Sequence, residues 1–149
     1  MITKMLAINN LTGKNKKIDE KLLLKIAKKV LEIEKIKAKI NLSIALVSST
    51  EIKKLNNKYR GKNKPTDVLS FGEIKKNKTQ IDFFEPEIII CPEEVKNNAQ
   101  QSKEPFKKEL IRVLIHAILH LLGFEHEQGG LVAEKMIRKQ EKYLSLFKF

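Results

Sequence analysis

The chain has 149 residues, room for one compact domain over 1–149 and not for a second of ordinary size. An apolar fraction of 42% supports a real core, and the single cysteine, Cys91, excludes an internal disulfide, as expected in a reducing cytosol. Thirty Lys and Arg against eighteen Asp and Glu leave a formal net charge of +12, a field that attracts polyanions: nucleic acid foremost, with an anionic membrane surface or simple solubility as the rival readings.

The opening residues show neither an uninterrupted apolar h-region nor a small-residue cleavage site, so secretion is not expected. Residues 5–9 read as a first strand, and residues 12–17 as a turn rich in Gly, Asn and Lys. Asp19 caps a helix running to about residue 37, in which Leu23, Ile26, Val30 and Ile33 share a face. Ile40, Leu42, Ile44 and Leu46 alternate with smaller or polar residues, the period-two pattern of a strand with one buried face. Thr50 is expected to cap a short helix ending near Arg60, followed by a basic loop at 61–65. Residues 67–71 and 87–91 read as neighbouring strands on either side of a polar turn at 75–82.

Pro92 with Glu93 and Glu94 starts one helix, and Pro105 starts another that Gly123 ends. Gly129 and Gly130 form a second hinge, after which Ala133, Met136, Ile137, Gln140, Leu144 and Phe147 share a face of the last helix. The longest apolar run, 113–122, is broken by two histidines and is too short to cross a bilayer, which takes about 20 residues. Interspersed strands and helices around one sheet predict an α+β or α/β fold.

All three histidines fall within eleven residues, at His116, His120 and His126. Arg112, His116 and His120 are four apart, so they form one stripe on a helix whose other positions are almost all apolar. A buried imidazole needs a partner, and two imidazoles at i and i+4 can reach one ion at about 2.0–2.1 Å. Gly123 lets the chain turn back and bring in the third. Three protein ligands leave the fourth position to water, the mark of a catalytic rather than a structural site. Zinc is the expected ion; iron, nickel and manganese are compatible with imidazole ligands.

The spacing His-x3-His-x2-Gly-x2-His is that of metzincin proteases, but the position of their general base is Ala117, which cannot accept a proton. Glu125 or Glu127 could stand in for it. Upstream, Arg60 lies among lysines in 59–67, where a guanidinium can fork onto phosphate; a solvated loop is the plainer reading of that stretch.

Thr66-Asp67-Val68-Leu69-Ser70-Phe71 and His116-x3-His120-Leu-x-Gly123-x2-His126, preceded by Leu55-Asn56 and Tyr59-Arg60-Gly61-Lys62 and joined by Ile88-Ile89-Ile90, resemble YbeY, the bacterial rRNA-maturation endoribonuclease family, over residues 40–130. The resemblance implies a single α+β domain with a small mixed sheet of about four strands, a zincin-like three-histidine zinc site and Arg60 near the metal. It further implies single-strand-specific cleavage in 16S rRNA 3′-end maturation and ribosome quality control in the cytoplasm. The implied partners are rRNA, the small ribosomal subunit, and ribosomal proteins or an assembly GTPase. The chain departs from the family pattern at Ala117 (usually Gly), Phe124-Glu125 (Tyr-Asp), Gly72 (Pro) and Pro86-Glu87-Ile88 (Gly-Asp-Ile). The reading is therefore an endoribonuclease with Arg60 and His116 as catalytic residues and Thr66, Ser70 and nearby lysines along the groove. The nucleophile is either a water or the RNA 2′-hydroxyl. A non-catalytic assembly factor with a structural metal, or a metallohydrolase on other substrates, is the alternative.

Overall fold

The computed structural model describes residues 4–13, 18–76, 78–79, 81–124 and 130–148. Five strands and five helices follow in the order β1 (Lys4–Asn10), α1 (Glu20–Ile33), β2 (Lys39–Leu46), α2 (Ser49–Arg60), β3 (Val68–Phe71), β4 (Phe83–Phe84), β5 (Glu87–Ile90), α3 (Pro92–Gln101), α4 (Phe106–Leu121) and α5 (Gly130–Leu144). The sheet order is β1-β2-β5-β3, with two-residue β4 beside the start of β2. β1 and β5 run parallel to β2, and β3 closes the path as an antiparallel edge strand, with Leu69 opposite Ile89 and Ser70 opposite Ile88. This is the expected α+β domain with a mixed sheet. The four-strand path is joined by β4, which is too short to carry any periodicity.

Alternation along the strands decides which layer covers which face. Ile40, Leu42, Ile44 and Leu46 of β2, with Ile88 and Ile90 of β5, enter the main core with α1, α4 and α5. The opposite face is not solvated at its far end: Ala45, Val47, Leu69, Ile89 and Cys91 pack under Ile52 and Leu55 of α2. Burial holds the Cys91 thiol above its usual range, against the pull of the Glu93 and Glu94 backbone amides, so Cys91 is a small core residue.

Three local expectations are corrected. The first helix stops at Ile33, short of residue 37, because Lys35 takes a left-handed φ of 57° and turns the chain so that Ile36 and Ala38 drop into the core. Ile33 is consequently at the core's rim and 36% exposed. The cap of α2 is Ser48, whose hydroxyl accepts from Glu51 N at 3.2 Å, and not Thr50, which lies inside the helix. In α5, Met136, Gln140, Tyr143 and Leu144 are buried while Ile137 faces solvent. Asp19 does cap α1, accepting from Leu22 N at 3.0 Å, and Pro92 occupies the first turn of α3.

Candidate active site

Helix α4 supplies the centre of the site. Leu110, Ile111, Val113, Leu114, Ile115, Ala117, Ile118, Leu119 and Leu121 are all buried, so beyond the first turn only the four-apart stripe Arg112, His116 and His120 is partly open. The helix ends in a Schellman motif: Gly123, at φ 96°, donates to His120 O at 3.0 Å and Phe124 donates to Leu119 O at 3.1 Å. Among the described residues nothing lies within 4 Å of where a Cβ at Gly123 would be, so it is the left-handed backbone that favours glycine there. Ile74 N takes a further end carbonyl, Leu121 O, at 2.8 Å. Ala117, where the family pattern has glycine, tucks its methyl into the core.

The open stripe faces a cleft of about 630 Å³ that wraps around edge strand β3. Val68 packs on the α4 side of the sheet and Leu69 and Phe71 on the α2 side, so by alternation Ser70 faces the histidines. His116, His120, Arg60, Thr66 and Ser70 all line this one cleft, as do Asp67, Tyr59, Glu109 and Gln140. Arg60 reaches it from the last turn of α2. That turn is fixed by Gly61, left-handed at φ 69°, and by Asn56, whose buried amide donates to Lys64 O at 2.9 Å and so pins the basic loop. Asp67 is steadied by Thr66 and Asn98, each at 3.4 Å, and its carbonyl accepts from Cys91 N at 2.9 Å.

Gln140, on α5, was not foreseen as a site residue. Its Nε2 donates to Glu141 Oε2 at 3.2 Å, and an ionised carboxylate only accepts. The Gln140 Oε1 is thereby the atom turned to His116 Nδ1, 2.8 Å away. That contact puts a proton on Nδ1, so the neutral ring is the tautomer whose lone pair is on Nε2, the form a metal ligand needs. Glu141 is itself held by Arg112, whose Nε and Nη2 donate to it at 3.1 and 3.2 Å, and Arg112 also pairs with Glu109. Hydrogen bonding to Glu141, opposed by burial and reinforced by Glu109, keeps Arg112 above its usual range. Burial pushes Glu141 up, but the hydrogen bonds from Arg112 and Gln140 outweigh it and leave its carboxyl below the ordinary range.

The donor set thus fits a transition metal at His116 and His120: two imidazoles at i and i+4 on a rigid helix, one with its tautomer fixed from behind. His126, with Glu125 and Glu127, lies outside the described residues.

A family model described as Endoribonuclease YbeY matches residues 7–148. Among curated relatives, Endoribonuclease YbeY of Thermotoga maritima is 40% identical over 125 residues, covering 83% of this chain and 79% of the relative. Its namesake from Thermodesulfovibrio yellowstonii is 44% identical over 107 residues, covering 72% and 67%. A solution structure of a Thermotoga maritima protein aligns with a TM-score of 0.61 at 38% identity, covering 94% of this chain and 87% of that one. With its histidine helix, its Arg60 loop and nearly its whole length matched, the chain belongs to the YbeY endoribonuclease family.

Proposed function

We propose that the chain is a metal-dependent endoribonuclease that cuts single-stranded RNA and acts in 16S rRNA 3′-end maturation and ribosome quality control. The observation that carries this reading is the single cleft lined by Arg60, His116 and His120 in a protein of net charge +12. The name of the relatives, endoribonuclease, supports it. Zinc is the ion this ligand chemistry favours, held by His116, His120 and His126, with other divalent transition metals as competitors. Such an ion supplies Lewis acidity toward a phosphoryl oxygen and brings the pKa of nearby water toward about 7.

The chain's own residues do the rest. Arg60 forks onto a phosphate through two parallel hydrogen bonds and sets the backbone in the cleft. Gln140 keeps the His116 proton on Nδ1. Thr66 and Ser70 offer hydroxyls along the β3 wall, and the lysines at 58, 62 and 64 draw the polyanion toward it. rRNA on the small ribosomal subunit is the proposed substrate, with ribosomal proteins or an assembly GTPase as partners. The proposed place of action is the cytoplasm; among the described residues no helix is long and apolar enough to cross a membrane.

The test is cleavage of single-stranded rRNA fragments by metal-loaded protein beside His116→Ala and Arg60→Ala, with metal identity read by anomalous scattering at the zinc edge. Both variants are expected to lose cleavage. Equal activity in all three would point to a contaminating nuclease. Steeply salt-dependent ribosome binding without any cutting would instead favour an assembly factor.

A further inference from the structure

We propose that Tyr59 is the stacking platform for one unpaired nucleobase of the RNA, a subsite beside the phosphate contact of Arg60. The inference rests on the endoribonuclease reading and adds the residue that would read single-strandedness.

The chain has two tyrosines, and the fold treats them oppositely. Tyr143 is buried with its hydroxyl bonded to Glu34, whereas Tyr59 is 56% exposed and forms part of the cleft wall. An aromatic ring left half in water on a cleft wall keeps a flat π-surface available to a ligand. Its orientation is set. Phe71, half-buried at the end of β3, meets it edge-on with centroids 5.1 Å apart and planes at 65°. A ring with two rotatable bonds, braced by a second ring, loses little freedom when a ligand stacks on it.

The surroundings select the ligand. Arg60 follows Tyr59 on the same helical turn and lines the same cleft, so a phosphate contact and an aromatic surface stand side by side. Lys58 holds its ammonium 5.1 Å from the Tyr59 ring centre; it is solvent-exposed, and its charge is free to swing to a phosphate when a base takes its place. A phosphate beside a flat π-surface is the signature of a nucleotide, and groove lysines with aromatic platforms are how single strands are held without sequence readout. Bases inside a duplex have their faces already stacked on neighbours and cannot use such a ring. The strand would pass over the edge of β3, with a base on Tyr59 on the α2 side and its backbone continuing toward His116 on the α4 side.

The experiment measures fluorescence-anisotropy affinity and KM on a short single-stranded oligoribonucleotide, together with a series carrying one abasic nucleotide at each position in turn. Wild type is compared with Tyr59→Ala, Tyr59→Phe and Tyr59→Trp. Loss of one base stack weakens binding by roughly 5- to 150-fold. Wild type should therefore lose affinity sharply at one abasic position. Tyr59→Ala should lose a similar factor on intact RNA, mainly in KM, and become indifferent to that position. Tyr59→Phe should keep the contact and Tyr59→Trp should match or exceed it, which a role for the hydroxyl would not produce. Wild type that cleaves RNA while Tyr59→Ala binds equally well, or stays as sensitive to the abasic site, overturns the platform alone. Wild type that neither binds nor cleaves single-stranded RNA overturns the platform and the endoribonuclease reading together.

Discussion

Replacing Glu34 with alanine should lower stability by about 2–4 kcal/mol, more than any surface change in this lysine-rich chain. Glu34 is only 4% exposed, yet its carboxylate takes Lys139 at 2.8 Å, Lys76 at 3.1 Å and the hydroxyl of Tyr143. It joins the end of α1 to the connection after β3 and to α5. The two ammoniums are partly solvated, 25% and 42% exposed, so each can swing into water and each pair is worth below about 1 kcal/mol. Tyr143 cannot leave, and its stranded hydroxyl costs about 1–3 kcal/mol. For a protein of this length the loss corresponds to a melting temperature lower by roughly 5–15 °C in calorimetry. Glu34→Gln keeps an acceptor for Tyr143 and should fall by less. Burial pushes the Glu34 carboxyl up, but hydrogen bonds from Lys139, Tyr143 and Lys76 outweigh it and hold it below the ordinary carboxylate range. A carboxyl depressed in the folded state stabilises at pH above its unfolded value, and that stabilisation fades as pH falls through the folded one. The gap between wild type and Glu34→Gln should therefore be full above about pH 5 and shrink below the ordinary value of 4.5. A Glu34→Ala protein melting within about 2 °C of wild type would refute the cluster's role.

Two further changes test the site's support and the local fold. Gln140→Leu removes the acceptor for His116 Nδ1 and should weaken metal binding roughly 10- to 100-fold in chelator competition, while Gln140→Glu, which still accepts, should largely retain it; equal affinity in all three proteins would show that the contact does not orient the histidine. Ser48→Ala should destabilise by about 1 kcal/mol in urea unfolding and Thr50→Ala by much less, and the reverse order would move the cap of α2 back to Thr50.

What the sequence made legible follows from which forces are local. The period of two in 40–46 and the four-residue step from His116 to His120 are properties of single elements, and both stand in the structure. Helix α1 overran because nothing in Ile33-Glu34-Lys35 breaks a helix locally; a lysine took the left-handed turn that glycine usually takes, and the gain lies in the Glu34 cluster, which spans 109 residues of chain to Tyr143. The cap of α2 was ambiguous because Ser48, Ser49 and Thr50 are all good caps, and the engagement of Ser49 with Glu94 at 3.1 Å is a tertiary fact. Arg60 carried little signal as a charge in a basic loop and came forward through the family resemblance; its place in the cleft depends on Asn56 and Gly61. Gln140 had no signal at all, since an amide on the apolar face of a helix means nothing until α5 is laid against α4.

That last packing is also what makes the site rigid. Three successive residues of α5 tie it to three places: Lys139 to Glu34 of α1 and over the Phe124 ring at 4.6 Å, Gln140 to His116, and Glu141 to Arg112. Successive helical residues point about 100° apart, so the three ties hold α5 from three directions. The outer two are charged and hold the register; the neutral middle one gives one hydrogen bond to Glu141 and turns the other to the imidazole. A glutamine suits the place beside Glu141, because its amide donates to that carboxylate and still accepts from the histidine. The tautomer of neutral His116 is thus set by the docking of a helix whose sequence contains no histidine.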